Sequence, residues 1–109
     1  MLSAGYIAGL FDGEGSLYYD RINKHYVVEI VNTNLEVLEM IREQLNMGRI
    51  FIDKRKEKKV YHLRIRKQSD VKRFVEMIKD ECIIKRARIE EYLQWLNNTK
   101  MGVNPVTES

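Results

Sequence analysis

Apolar residues along the chain fall into two periods. Helical spacing groups Ile7, Leu10 and Phe11, then Val37, Leu38, Ile41 and Leu45, then Val71, Phe74, Val75, Ile78 and Cys82. A fourth group is Ile89, Tyr92, Leu93 and Leu96, with Trp95 adjacent. Between these groups, segments 16–22, 25–32, 49–53 and 59–67 read as strands. On the second, Tyr26, Val28 and Ile30 share one side, and His25, Val27 and Glu29 the other. On the fourth, Tyr61, Leu63 and Ile65 alternate with His62, Arg64 and Arg66.

Local signals mark the boundaries. Gly13 and Gly15 suit a C-cap and tight turn after the first helix, and Asn23-Lys24 suits a short hairpin. Thr33-x-x-Glu36 has the form of a capping box, Gly48 would close the second helix, and Ser69 would cap the third.

The order α-β-β-α-β-β-α-α repeats a strand-strand-helix unit over about 16–45 and 49–82. It predicts an α+β fold, αββαββα(α), with a four-stranded antiparallel sheet carrying helices on one face. One domain is expected over 1–96. Periodicity fades from Asn97, and Gly102 and Pro105 mark an expected flexible tail over 97–109. The other sheet face would carry Ser16, Tyr18, Asp20, His25, Val27, Glu29, Arg49, Phe51, Asp53, His62, Arg64 and Arg66. That face is polar, mixed in charge and dotted with aromatics.

The first helix is locally unfavourable. Gly5, Gly9 and Gly13 stand four residues apart with Ala8 and Asp12 alongside, and each helical glycine costs roughly 1 kcal/mol against alanine. A second helix backbone approaching along this stripe would explain it. Asp12 and Glu14 lie where the helix end is already partly negative, which calls for a cation.

Charge sharpens the picture more than composition does. Net charge is only +3, but residues 1–53 sum to −4 and residues 54–67 to +7. The basic segment fits either a polyanion partner or a solvated charged hairpin. The single cysteine, Cys82, excludes a disulfide framework and any cysteine-based zinc site, and its apolar face predicts a buried thiol. No apolar run nears the roughly 18–20 residues of a membrane span. Neither a membrane partner nor a signal peptide is expected, and the chain is expected to be intracellular.

Ile7-Ala8-Gly9-Leu10-Phe11-Asp12-Gly13-Glu14-Gly15 resembles the LAGLIDADG signature position by position, and the predicted element order resembles that of the LAGLIDADG homing endonucleases. Only one copy of the motif is present. The resemblance implies a homodimer packed through the signature helices, with Gly5, Ala8, Gly9, Asp12 and Gly13 at the interface. It implies a Mg²⁺-dependent double-strand break, with Mn²⁺ as a substitute and no organic cofactor. Glu14, with Gly13 beside it, would hold the metal, while Asp12 would hold the helix end in place. Asn32 and Lys85, with Arg86 as the rival cation, would complete the catalytic set.

Double-stranded DNA would lie against the sheet, with Arg64 and Arg66 reading guanine and Asp20 and Glu29 accepting from cytosine. Ser16, Tyr18, His25, Arg49 and His62 are further candidates on that surface. Lys54, Arg55, Lys56, Lys58 and Lys59 would contact phosphates. A two-fold protein implies a long, near-palindromic site. The rival reading is a protein of the same fold that binds nucleic acid without cutting it, such as an RNA maturase or a DNA-binding regulator. A calcium loop starting at Asp12 fails, because Asn23 stands where its last acid is needed.

Overall fold

The structure is a computed structural model and describes residues 1–55 and 57–101. Its elements are α1 (Ala4–Glu14), β1 (Gly15–Asp20), β2 (His25–Asn32), α2 (Leu35–Leu45), β3 (Arg49–Asp53), β4 (Val60–Ile65), α3 (Gln68–Ile78) and α4 (Arg86–Met101). A single 3₁₀ turn, Lys79–Glu81, follows α3. The four strands form one antiparallel sheet in the order β1-β2-β4-β3, as the alternation predicts.

Burial follows the two periods. Tyr26, Val28 and Ile30 of β2 and Leu63 and Ile65 of β4 face the helices, where Phe11, Leu38, Ile41, Phe74 and Ile78 cover them. Phe11 and Phe74 meet edge to face, with ring centroids 5.4 Å apart. α4 docks through an aromatic group in which Tyr26 lies 5.1 Å from both Tyr92 and Trp95. Cys82 is buried as expected, and its thiol donates to the Ala8 carbonyl across 3.7 Å. Burial pushes its pKa up to about 11, so it remains a protonated packing group.

Several boundaries differ from the expected ones, each for a local reason. No tight turn follows α1. Gly15 is extended (φ −104°) and the helix passes directly into β1. A Cβ at Gly15 would overlap the Phe11 ring, so this glycine is there for close packing. The first hairpin closes over four residues, with Lys24 left-handed (φ 57°) and its N–H bonded to the Asp20 carbonyl at 2.7 Å. Asn34, one residue beyond Thr33, caps α2 by accepting from the Val37 N–H at 3.1 Å. Asn46 (φ 55°), rather than Gly48, ends that helix. Gly48 sits at φ 90°, where a Cβ would lie 2.9 Å from Leu63, so it shapes the entry to β3.

Lys67 occupies the N-cap position of α3 without a side-chain bond, which puts Ser69 inside the first turn. The helix ends at Ile78, so Cys82 lies past the 3₁₀ turn. β4 is shorter than the alternating run, and α4 continues past Asn97 to Met101. The rest of the expected tail lies outside the described residues. Among the described residues, no helix is long and apolar enough to cross a membrane.

Candidate active site and nucleic-acid interface

The direct α1–β1 joint and the β1–β2 register, which pairs Gly15 with Ile30, bring the end of α1 beside the end of β2. There the Asn32 side-chain amide donates to Glu14 Oε1 at 2.7 Å. Asn32 Oδ1 accepts from the Asn34 N–H at 2.8 Å. That second bond decides which end of the amide turns to Glu14. The carboxylate is exposed, yet one of its oxygens is fixed.

Asp12, in the same turn of α1, faces the loop before α4. Its Oδ2 accepts from the N–H groups of Ile83 (2.9 Å) and Ile84 (3.0 Å), and its Oδ1 from that of Lys85 (2.8 Å). Partial burial raises its pKa, but the three backbone bonds and the Lys85 ammonium outweigh that and hold it below the ordinary 3.8. Lys85 Nζ in turn donates to the Asp12 carbonyl at 2.9 Å. The cation that the helix end called for is thus supplied by another element. Arg86 instead lines a cleft with Lys79, Asp80 and Glu90.

Asp12→Ala removes the acceptor for three amides. It is expected to lower unfolding free energy by about 1–3 kcal/mol, with the loss concentrated in the 83–85 loop. Urea denaturation and amide hydrogen exchange measure both quantities, and unchanged exchange at residues 83–85 would contradict this role.

A divalent cation is compatible with Glu14 as a hard oxygen donor. No group of three His, Cys, Asp or Glu side chains that could hold a metal occurs among the described residues. Such an ion would have one protein carboxylate, the Gly13 or a neighbouring last-turn carbonyl, and ligands from outside this chain. Mg²⁺ is commonly held by one or two carboxylates plus water and substrate phosphate.

The expected dimer residues separate into two groups. Ala8 is fully buried in the chain's own core, against Cys82, and is corrected to a core residue. Gly5 is turned toward its own chain, where an added Cβ would lie 3.1 Å from the Glu81 carboxylate. Asp12 spends its carboxylate on its own loop. Gly9 and Gly13 are open: a Cβ at either would meet nothing within 4 Å. Tyr6, on the same outer face, is half exposed, and Ile83 and Ile84 beside the helix end are each 73% exposed. These three apolar residues went unremarked as interface candidates. Two adjacent isoleucines in a loop were the available signal.

On the outer sheet face, Ser16, Tyr18 and Val27 stand beside the charged residues, and Val27 is fully covered there. Arg49, Lys54, Arg55, Lys58 and Lys59 are exposed toward β3 and its loop, while Lys56 lies outside the described residues. His25 is half-buried, and its Nε2 has no partner among the described residues.

The acids expected to accept from bases are already engaged. Asp20 accepts from the Ile22 and Asn23 N–H groups, from the Asn23 side chain at 2.9 Å and from Arg66 Nη1 at 3.1 Å. Glu29 Oε2 accepts from Arg64 Nε (3.0 Å) and Nη2 (2.8 Å) and lies 3.1 Å from His62 Nδ1. Asp53 accepts three bonds from Arg55, from its N–H, Nε and Nη2, each 3.1 Å, a clamp that its expected place on this face did not reveal.

Two of these acids make stability sensitive to low pH. The Asn23 side chain, then its N–H, contribute most to holding Asp20 down to about 2 from 3.8, with Arg66 adding and burial opposing. The Arg55 side chain does the same for Asp53, also to about 2. A pKa lowered by folding gives stability above the unfolded value that is lost as pH falls through the folded one. The urea midpoint is therefore expected to decline between about pH 4 and about pH 2, with a shallower decline in Asp20→Asn. A midpoint equal at about pH 5 and about pH 2.5 would contradict this.

A four-stranded antiparallel sheet with its helices on one face, a charged opposite face and a carboxylate at the end of the first helix define a LAGLIDADG-type domain. The chain belongs to this family: residues 1–79 match the model of the LAGLIDADG-like domain. Among solved structures it is similar to the archaeal intron-encoded homing endonuclease I-Vdi141I complexed with DNA, at 25% identity and TM-score 0.68, over 91% of this chain and 69% of that one. It is also similar to the homing endonuclease I-TnaI, at 25% identity and TM-score 0.71, over 93% of this chain and 76% of that one. I-CvuI, solved with a DNA target and magnesium, shares the fold at 18% identity and TM-score 0.68, over 94% and 71% of the two chains. No curated protein matches the chain significantly.

Proposed function

We propose that this chain is a divalent-metal-dependent DNA endonuclease. It would act as a homodimer and make a double-strand break in a long, near-palindromic site. The observation that carries the proposal is a Glu14 carboxylate held by Asn32 at the end of a helix whose outer face is bare at Gly9 and Gly13. Two such helices in contact would bring two Glu14 side chains near one axis, one for each strand to be cut. The DNA complex of I-Vdi141I supports the same substrate.

A bound Mg²⁺ would supply Lewis-acid polarisation of the phosphoryl group. The chain's own residues have separate tasks. Glu14 offers the anionic oxygen, and Asn32 holds that oxygen in one orientation through a bond whose polarity Asn34 sets. Lys85, tethered to the Asp12 carbonyl, places a cation near the phosphate's developing negative charge. Lys54, Arg55, Lys58 and Lys59 extend from the β3–β4 loop to track the phosphate backbone. The sheet face between them is presented to the major groove, where base pairs are distinguishable.

Selection of cut products from a randomised duplex library with Mg²⁺ tests the proposal. A near-palindromic consensus is expected. A preferred duplex that is bound tightly but never cut with Mg²⁺ or Mn²⁺ would instead make the chain a non-cleaving member of the fold.

A further inference from the structure

We infer that Glu29 and Phe51 are positioning residues, which together hold Arg64 in an orientation suited to reading a base pair. The assignment rests on the DNA reading proposed above and names which residues would carry its discrimination.

The register builds the arrangement. Glu29 of β2 lies directly across from Arg64 of β4, and Arg64 across from Arg49 of β3. One residue pair along on the same face, His62 lies across from Phe51. Arg64 presents the Nε–Nη2 edge of its guanidinium to a single oxygen, Glu29 Oε2, at 3.0 and 2.8 Å. His62 Nδ1 reaches the same oxygen at 3.1 Å, and His62 Nε2 is 3.9 Å from Asp53 Oδ2. Glu29 Oε2 is therefore held by His62 as well as by the arginine. Arg64 Cζ lies 5.0 Å from the centre of the Phe51 ring, so a cation–π contact also restrains the guanidinium.

These contacts leave a defined part of Arg64 available. With the Nε–Nη2 edge committed to Glu29, the Nη1–Nη2 end keeps a pair of N–H donors without a partner among the described residues and can face a ligand. That end matches the O6 and N7 acceptors of guanine in the major groove. The Arg64 side chain is 28% exposed and that of Glu29 15%, so the arginine stands further out. Arg64 and Phe51 also form the shared wall of two shallow hollows of about 310 and 260 Å³ on this face. Arginine carries much rotamer freedom, and fixing it before binding removes an ordering cost from recognition. Arg66 is an internal contrast. It has one bond to Asp20 and a side chain 46% exposed, so its base preference should be weaker.

The test is base-preference profiling of the full chain on randomised duplexes, combined with NMR of the Arg64 Nε–H signal in the free protein. Arg64→Ala and Glu29→Ala are each expected to lower preference at the same position of each half-site, by roughly tenfold. Phe51→Leu should lower it a few-fold, and Glu29→Gln, which keeps shape and an acceptor oxygen, should be intermediate. The double variant of Glu29→Ala with Arg64→Ala should match Arg64→Ala alone. The Arg64 Nε–H signal should be protected in the wild type and lost in Glu29→Ala.

A preference that survives Glu29→Ala overturns this assignment alone. So does a further loss at another position when Glu29→Ala is added to Arg64→Ala, since Glu29 would then be reading a base itself. A wild type with a protected Arg64 signal but no preferred base at any position overturns the DNA reading, and this assignment with it.

Discussion

Glu14→Gln is expected to bind the selected duplex as tightly as the wild type, or slightly more tightly, and to cut it at least roughly a thousandfold more slowly. The substitution changes charge with almost no change in shape. Asn32 donates to Glu14 Oε1, and a glutamine carbonyl can accept that same bond, so the end of α1 should keep its geometry. What disappears is the anionic oxygen. Loss of several kcal/mol of metal-derived transition-state stabilisation corresponds to at least three orders of magnitude in rate. Removing a negative charge beside the DNA backbone should not weaken association. Single-turnover cleavage and equilibrium binding on one duplex separate the two quantities. Cutting by Glu14→Gln within about tenfold of the wild type would leave Glu14 without the metal role.

Gly9→Leu should convert a dimer into a folded monomer and abolish double-strand cleavage. An added Cβ at Gly9 meets nothing of its own chain within 4 Å, so the fold itself does not resist a side chain there. Replacing a helical glycine should even stabilise the isolated chain by up to about 1 kcal/mol. Against a second α1, a leucine would hold the helix axes at an ordinary separation of about 8–10 Å or beyond and prevent backbone contact. Sedimentation and urea denaturation should therefore move in opposite directions, toward lower mass and equal or higher stability. A wild type that sediments as a monomer at micromolar concentration, or a variant that remains dimeric, would remove the helix-packing argument.

The parts of the fold that depend on local periodicity were legible in the sequence. The alternation of Leu63 and Ile65 with His62, Arg64 and Arg66 is buried and outward-facing as read. The anchoring of the helix end by Asp12 was also legible, because a carboxylate at that end needs a partner, and the N–H groups of residues 83–85 supply it. Registers and near-ties were not. Thr33 and Asn34 are both good caps one residue apart, and it is Asn34 whose Oδ1 accepts from the Val37 N–H. Ala8 reads as part of a glycine stripe until the 3₁₀ turn and Cys82 cover that side of the helix. The pairing of Glu29 with Arg64 required the β2–β4 register, which neither strand encodes alone. For that reason acids that looked like free acceptors turned out to be partners of the arginines.

The joint at Gly15, where α1 becomes β1 without an intervening loop, has a mechanical meaning. A loop at that point would act as a compliant hinge between the helix and the sheet. A single extended glycine pressed against Phe11 leaves no slack. If two copies meet along α1, their sheets stand at a separation set by the rigid body, as the jaws of a calliper are set by its beam. The protein would then measure the distance between half-sites as strictly as it reads their bases.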